Sequence, residues 1–182
     1  MRLHAFLAIA VMLFVANIAH AQSCTYWNDV GPTVGIDPIA DGNFSDTSCG
    51  AWQYTGNAYK SSRSGDYAGR IDSDAFTSST IYQNTDFSSF TGSAFAIGFY
   101  FDKTINSGAG TEVMRVQIRR VSDDAVLETV TSLSPSSASG TYSFTIGNYS
   151  GQNVRLVFSV SGGRNYGDTT FWVDGVHLWA DF

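Results

Sequence analysis

Along most of this chain apolar and polar residues alternate in short runs, the period-two signature of half-buried β-strands, and nowhere does an apolar stripe at helical spacing persist for three turns. The clearest run is Asn153 to Ser161, where Val154, Leu156, Phe158 and Val160 fall on one face and Arg155, Val157 and Ser159 on the other. Glu112 to Val121 repeats the pattern, with Met114, Val116 and Ile118 inward and Arg115, Gln117 and Arg119 outward. Ser93 to Asp102 is more continuously apolar, which predicts a central strand covered on both faces. Further strands are expected over Trp52 to Thr55, Ala68 to Asp72, Thr80 to Asp86, Ala125 to Ser132, Thr141 to Ile146 and Thr169 to Trp179. Ser122-Asp123-Asp124 reads as a hairpin turn, and Ser134 to Gly140 and Gly162 to Gly167 as loops. Roughly nine or ten strands without a repeat predict an all-β fold, a two-sheet antiparallel β-sandwich of the jelly-roll kind.

The N-terminus breaks the alternation. Met1-Arg2 is followed by an apolar run from Ala5 to Ile18 and by Ala19-His20-Ala21, which together read as a signal peptide over residues 1–21, cleaved before Gln22. The run spans 14 residues, short of the roughly 18 to 20 that a membrane-spanning helix needs. The expected product is therefore secreted, extracellular or periplasmic, with no membrane insertion. Residues 22–40, punctuated by Gly31-Pro32 and Asp37-Pro38, read as an N-terminal arm, and residues 41–182 as one domain.

Losing that leader changes the chemistry on offer. The mature chain carries 9 Lys and Arg against 16 Asp and Glu, a net charge of −7, which disfavours nucleic acid and anionic lipid as partners. His4 and His20 leave with the leader, so His177 is the remaining histidine, facing away from Val176 and Leu178 as an exposed strand residue. A hydrolytic triad or a zinc site lacks its parts. Glu112 and Glu128 stand near strand ends, where exposed charge is the default, so an acid pair of the glycosidase kind is disfavoured and no enzymatic activity is expected. Cys24 and Cys49, in an exported protein, are most simply a disulfide that ties the arm to the body.

Aromatic residues point elsewhere, because sugar rings stack their C–H faces on flat side chains while their hydroxyls bond to polar ones. Trp52 is expected in the core, whereas Trp172 and Tyr166 are expected to be exposed, the first by alternation with Phe171 and Val173, the second in a Gly-rich loop. Arg115, Gln117 and Arg119 share an outward face and offer the polar floor of a cleft. The predicted carbohydrate-binding set is thus Arg115, Gln117, Arg119, Tyr166 and Trp172.

Two stretches carry a resemblance. Asp41-Gly42-Asn43-Phe44-Ser45-Asp46 with Ala51-Trp52-Gln53-Tyr54, and Phe171-Trp172-Val173-Asp174-Gly175-Val176-His177-Leu178, resemble the opening and closing elements of galactose-binding-domain-like jelly rolls, especially carbohydrate-binding modules of the families 4, 9 and 22 type. The resemblance implies a non-catalytic protein that binds a polysaccharide or glycan. It also implies a structural calcium ion joining first and last strands, with Asp41, Asn43, Asp46 and Asp174 as ligands, although Ser45 and Gly175 stand where the family often has acidic or amide residues. The competing expectation is an extracellular structural or adhesive subunit that self-associates.

Overall fold

The computed structural model describes residues 37–46, 49–73, 78–87, 94–106, 112–161 and 169–181. Within them ten strands follow the alternation: β1 (Gln53–Thr55), β2 (Ala58–Arg63), β3 (Asp66–Asp72), β4 (Ser79–Asp86), β5 (Ala94–Ile105), β6 (Val113–Arg120), β7 (Val126–Leu133), β8 (Gly140–Ile146), β9 (Asn153–Ser161) and β10 (Thr169–Asp181). No helix occurs among the described residues. The strands form two five-stranded sheets, β1-β4-β9-β6-β7 and β2-β3-β10-β5-β8, and every described pairing is antiparallel. This is the expected β-sandwich.

Its core is the inward half of each alternation. Ile81, Met114, Val116, Ile118, Leu156 and Phe158 come from the first sheet and Ile71, Phe95, Ile97, Phe99, Phe101, Phe171 and Val173 from the second, all buried. Phe158 joins the layers, meeting Phe99 edge-on at 5.3 Å and Trp52 at 6.3 Å. Trp52 is in the core as expected, stacked on Phe44 at 5.0 Å, with its indole N–H donated to the Asp41 carbonyl. The β6–β7 hairpin turns where Ser122-Asp123-Asp124 places it, and Asp124 takes the positive φ of 58° that closes the turn.

Three expectations change. β2 was not anticipated, because an edge strand reading Ala-Tyr-Lys-Ser-Ser-Arg has one buried apolar residue, Ala58, and no alternation to betray it. β5 is not covered on both faces: its outward residues include Gly98, Tyr100 and Asp102, small or amphipathic groups that lengthen the apolar run without adding a second core face. Glu112 is fully enclosed rather than exposed, because it continues the inward parity of Met114, Val116 and Ile118 ahead of the start of β6, and neither carboxylate oxygen has a hydrogen-bond partner among the described residues. Glu128 accepts the Gly147 N–H and the Tyr149 hydroxyl at 2.9 and 2.7 Å, tying the end of β8 and the loop after it to β7.

The two stretches that carried the resemblance meet in space. Residues 37–40, which the sequence assigns to the arm, are packed into the body: Ile39 is buried, the Gln83 amide pairs with both backbone groups of Ala40, and Asp37 accepts the N–H groups of Ile39 and Leu178. The turn that follows holds Asp41 and Phe44 at positive φ and docks on β10 through a bond of 2.8 Å from Val176 N–H to the Gly42 carbonyl. At that point β10 carries one extra residue between Asp174 and His177, a β-bulge in which Gly175 takes φ 54°.

Candidate functional site

The outer face of the β2-β3-β10-β5-β8 sheet gathers the exposed aromatic side chains. Antiparallel register sets Arg70, Trp172 and Asp102 side by side on β3, β10 and β5, and Asp174 beside Tyr100 and Thr141 in the next row. A depression of about 240 Å³ opens there, lined by Arg63, Ser64, Tyr67, Ala68, Tyr100, Asp102, Trp172 and Asp174. Tyr100, 42% exposed, forms an aromatic wall, and Trp172 is half-buried beside it and the charged groups, while Tyr67 reaches the rim with its ring turned to Lys60 at 5.0 Å.

Cations fix the indole. Arg70 is anchored by Asp72 at 2.9 Å and lies over the rings of both Tyr59 and Trp172, 5.2 and 5.5 Å from their centroids. Arg63 lies over Trp172 at 4.8 Å and pairs with Asp102, while its Nη1, shut off from solvent, has no acceptor. The two aspartates differ in how readily they take a proton. Burial raises Asp102, but hydrogen bonds from the Ser139 hydroxyl and the Lys103 N–H, with the Arg63 and Lys103 charges, outweigh it and keep the carboxylate below its usual range. Burial pushes Asp174 up to about 6 against the bond from Gly175 N–H, with Asp66 and Asp41 adding to the rise. The depression therefore offers a firm acceptor, a second carboxyl that gains donor character on mild acidification, and flat apolar surface.

The predicted binding residues divide between opposite faces. Arg115, Gln117 and Arg119 lie together on the outer face of the β1-β4-β9-β6-β7 sheet, away from Trp172, and Tyr166 lies outside the described residues. Their polar groups are largely spent on each other. Arg119 donates twice to Gln117 Oε1 and also pairs with Asp124 at 2.7 Å; Gln117 donates to Thr129; Arg115 donates to Ser161. Arg155 completes the mesh through Asp124, Asn84 and the ring of Tyr82, and Gln117 beneath it is 7% exposed. Arg63, Tyr67, Tyr100 and Asp102 were not singled out as a set. The spacing Tyr100-x-Asp102 matching Trp172-x-Asp174 was the available signal, whereas Arg63 sits on the unanticipated β2.

Three of the expected calcium ligands are engaged within the chain. Asp41 Oδ1 accepts the Asp46 N–H at 2.9 Å, and its Oδ2 lies 3.7 Å from the ammonium of Lys60, which also donates to the Asp46 carbonyl at 2.9 Å. Asp46 Oδ1 is taken by Cys49 N–H and Asn43 Oδ1 by Ser45. The cation of this cluster is thus Lys60, and among the described residues no three His, Cys, Asp or Glu groups could hold a metal. Chelation with EDTA is expected to leave the melting temperature unchanged, and a rise of several degrees on adding calcium to the chelated protein would contradict that assignment. No described cysteine is free; Cys24, Trp27 and the leader lie outside the described residues.

No family model and no curated protein matches the sequence. Solved structures match the fold. A family 61 carbohydrate-binding module in complex with β-1,4-galactotriose has 12% identity and a TM-score of 0.56, the match covering 81% of this chain and 100% of the module. A family 4 carbohydrate-binding module has 17% identity and 0.53 over 79% and 99% of the two chains. The CBM22-1 xylan-binding domain of Paenibacillus barcinonensis Xyn10C has 9% identity and 0.51 over 84% and 99%. At such identities the likeness is one of fold: the chain shares the jelly-roll fold of these modules.

Proposed function

We propose that the protein is a secreted, non-catalytic glycan-binding module that takes its ligand in the depression beside Trp172. The observation that carries this reading is the convergence of Tyr100 and Trp172 with Asp102, Asp174 and Arg63 on one open sheet face. Aromatic surface removes the apolar faces of a sugar from water, and carboxylates beside it take up the hydroxyls that would otherwise be left unpaired. The fold supports the same reading, since the three structural neighbours described above are carbohydrate-binding modules. Export, extracellular or periplasmic residence and a Cys24 to Cys49 disulfide belong to this proposal and rest on the sequence.

Trp172→Ala is expected to weaken binding at least about tenfold, a loss of about 1.4 kcal/mol. Affinity electrophoresis in soluble galactan and xylan reads it directly, as retardation of the wild type that the variant loses. Equal mobility of wild type and variant in every retarding polysaccharide would sink the assignment of the site.

A further inference from the structure

We infer that the site continues along β10 from Trp172 to a second aromatic block made by His177 and Trp179, so that the ligand is the interior of a linear, uncharged polysaccharide chain. The inference rests on the glycan-binding reading above. Strict alternation would put Trp172 and Trp179 on opposite faces of β10, since they stand seven positions apart. The bulge at Gly175 adds one residue and restores parity: Trp172 pairs with Asp102, Asp174 with Tyr100, His177 with Gly98 and Trp179 with Ala96, so these four side chains share one face. Val176 and Leu178 turn into the core as a result.

The second block is a built feature. His177 and Trp179 stack at 4.7 Å with 20° between their planes. Gly98 is what admits them, because a Cβ there would stand 2.4 Å from His177 Nε2 and 3.1 Å from the Trp179 ring. His177 Nδ1 meets the Gly175 carbonyl at 2.9 Å, which ties the imidazole to the bulge itself. Six positions of β5 separate the partners of the two tryptophans, about 20 Å of strand, a span that neither a single sugar nor a disaccharide bridges. Between the blocks lie Asp174, Tyr100, Thr141 and Ser143, groups suited to a row of hydroxyls.

Charge selects against acidic sugars. Asp66, Asp102 and Asp174 surround the first block, and the two arginines near Trp172 are already paired with Asp102 and Asp72. A uronate or sulfated chain would meet three carboxylates, with both arginines already held in ion pairs among the described residues.

Titration calorimetry with a ladder of β-1,4-linked galacto- and xylo-oligosaccharides, and with polygalacturonate, tests this. Affinity is expected to rise with chain length until both blocks are spanned, and polygalacturonate is expected not to bind. Trp179→Ala is expected to lose about tenfold for the long oligosaccharides while leaving the disaccharide unaffected. His177→Ala, made alongside, removes the partner ring and is expected to show the same length-selective loss. Long-chain affinities unchanged in both variants, with Trp172→Ala still weakened, would overturn the second block and leave the first standing. Loss of no affinity in Trp172→Ala would instead overturn the reading on which it rests.

Discussion

Replacing Gly42 by alanine is expected to remove more than about 3 kcal/mol of folding stability, beyond the usual cost of an overpacked site. A Cβ at this position would stand 1.9 Å from the Val176 carbonyl oxygen and 3.1 Å from its carbon, and both obstacles are backbone, which cannot swing aside. The turn would have to withdraw from β10. Withdrawal breaks the Val176 N–H bond to the Gly42 carbonyl and the Trp52 indole bond to the Asp41 carbonyl, and it unseats Phe44, which stacks on Trp52 and takes an unfavourable φ of 55°. Urea denaturation of Gly42→Ala beside Gly50→Ala, where an added methyl meets nothing within 4 Å, separates this clash from the general effect of losing a glycine. Equal midpoints for the two variants would show that the turn does not dock as described.

Stability is also expected to fall as pH rises from about 4 to 8, by a few kcal/mol, with Asp37 as the principal cause. Burial pushes its carboxyl up to about 7 against the hydrogen bonds from Ile39 and Leu178 N–H, and its Oδ2 has no partner. The unfolded chain releases that proton near the ordinary aspartate value of about 3.9, so between there and 7 the native state holds the extra proton. The contribution is full below the unfolded value and is lost as pH climbs through the folded one. Asp174, raised to about 6, acts in the same direction. Asp102, lowered, acts oppositely and only at more acid pH. Asp37→Asn keeps one acceptor oxygen for both backbone donors and removes the buried charge. Denaturation at pH 5 and pH 8 should therefore show a steep difference for the wild type and a shallow one for the variant; parallel curves would remove Asp37 from the explanation.

How far the sequence carries depends on whether neighbouring side chains report on one another. β9 reads correctly because its inward residues are large aliphatics and Phe158, and Trp52 reads correctly because it follows a turn and opens the first strand. β2 is silent because an edge strand needs no apolar face. The bulge at Gly175 is equally silent: in the sequence it makes Trp172 and Trp179 look opposed, and only the pairing with β5 shows that they agree. Arg115, Gln117 and Arg119 share a face as alternation predicts, yet alternation says nothing of Ser161, Thr129 and Asp124, which take up their donors. Which of two sheet faces holds a cleft is a matter of tertiary register, and that is where the sequence reading of the site divides.

The site assignment is tested most directly by heteronuclear NMR, following backbone amides and tryptophan indole N–H signals while a soluble β-1,4-linked oligosaccharide is added. The indole N–H of Trp172, which faces Thr104 Oγ1 at 3.4 Å, and the amides of Ala68, Tyr100 and Asp174 are expected to shift, while the buried Trp52 indole stays fixed as an internal reference. Shifts confined to Gln117, Arg119 and Arg155 on the opposite sheet would contradict the assignment and move the binding face to the other side of the sandwich.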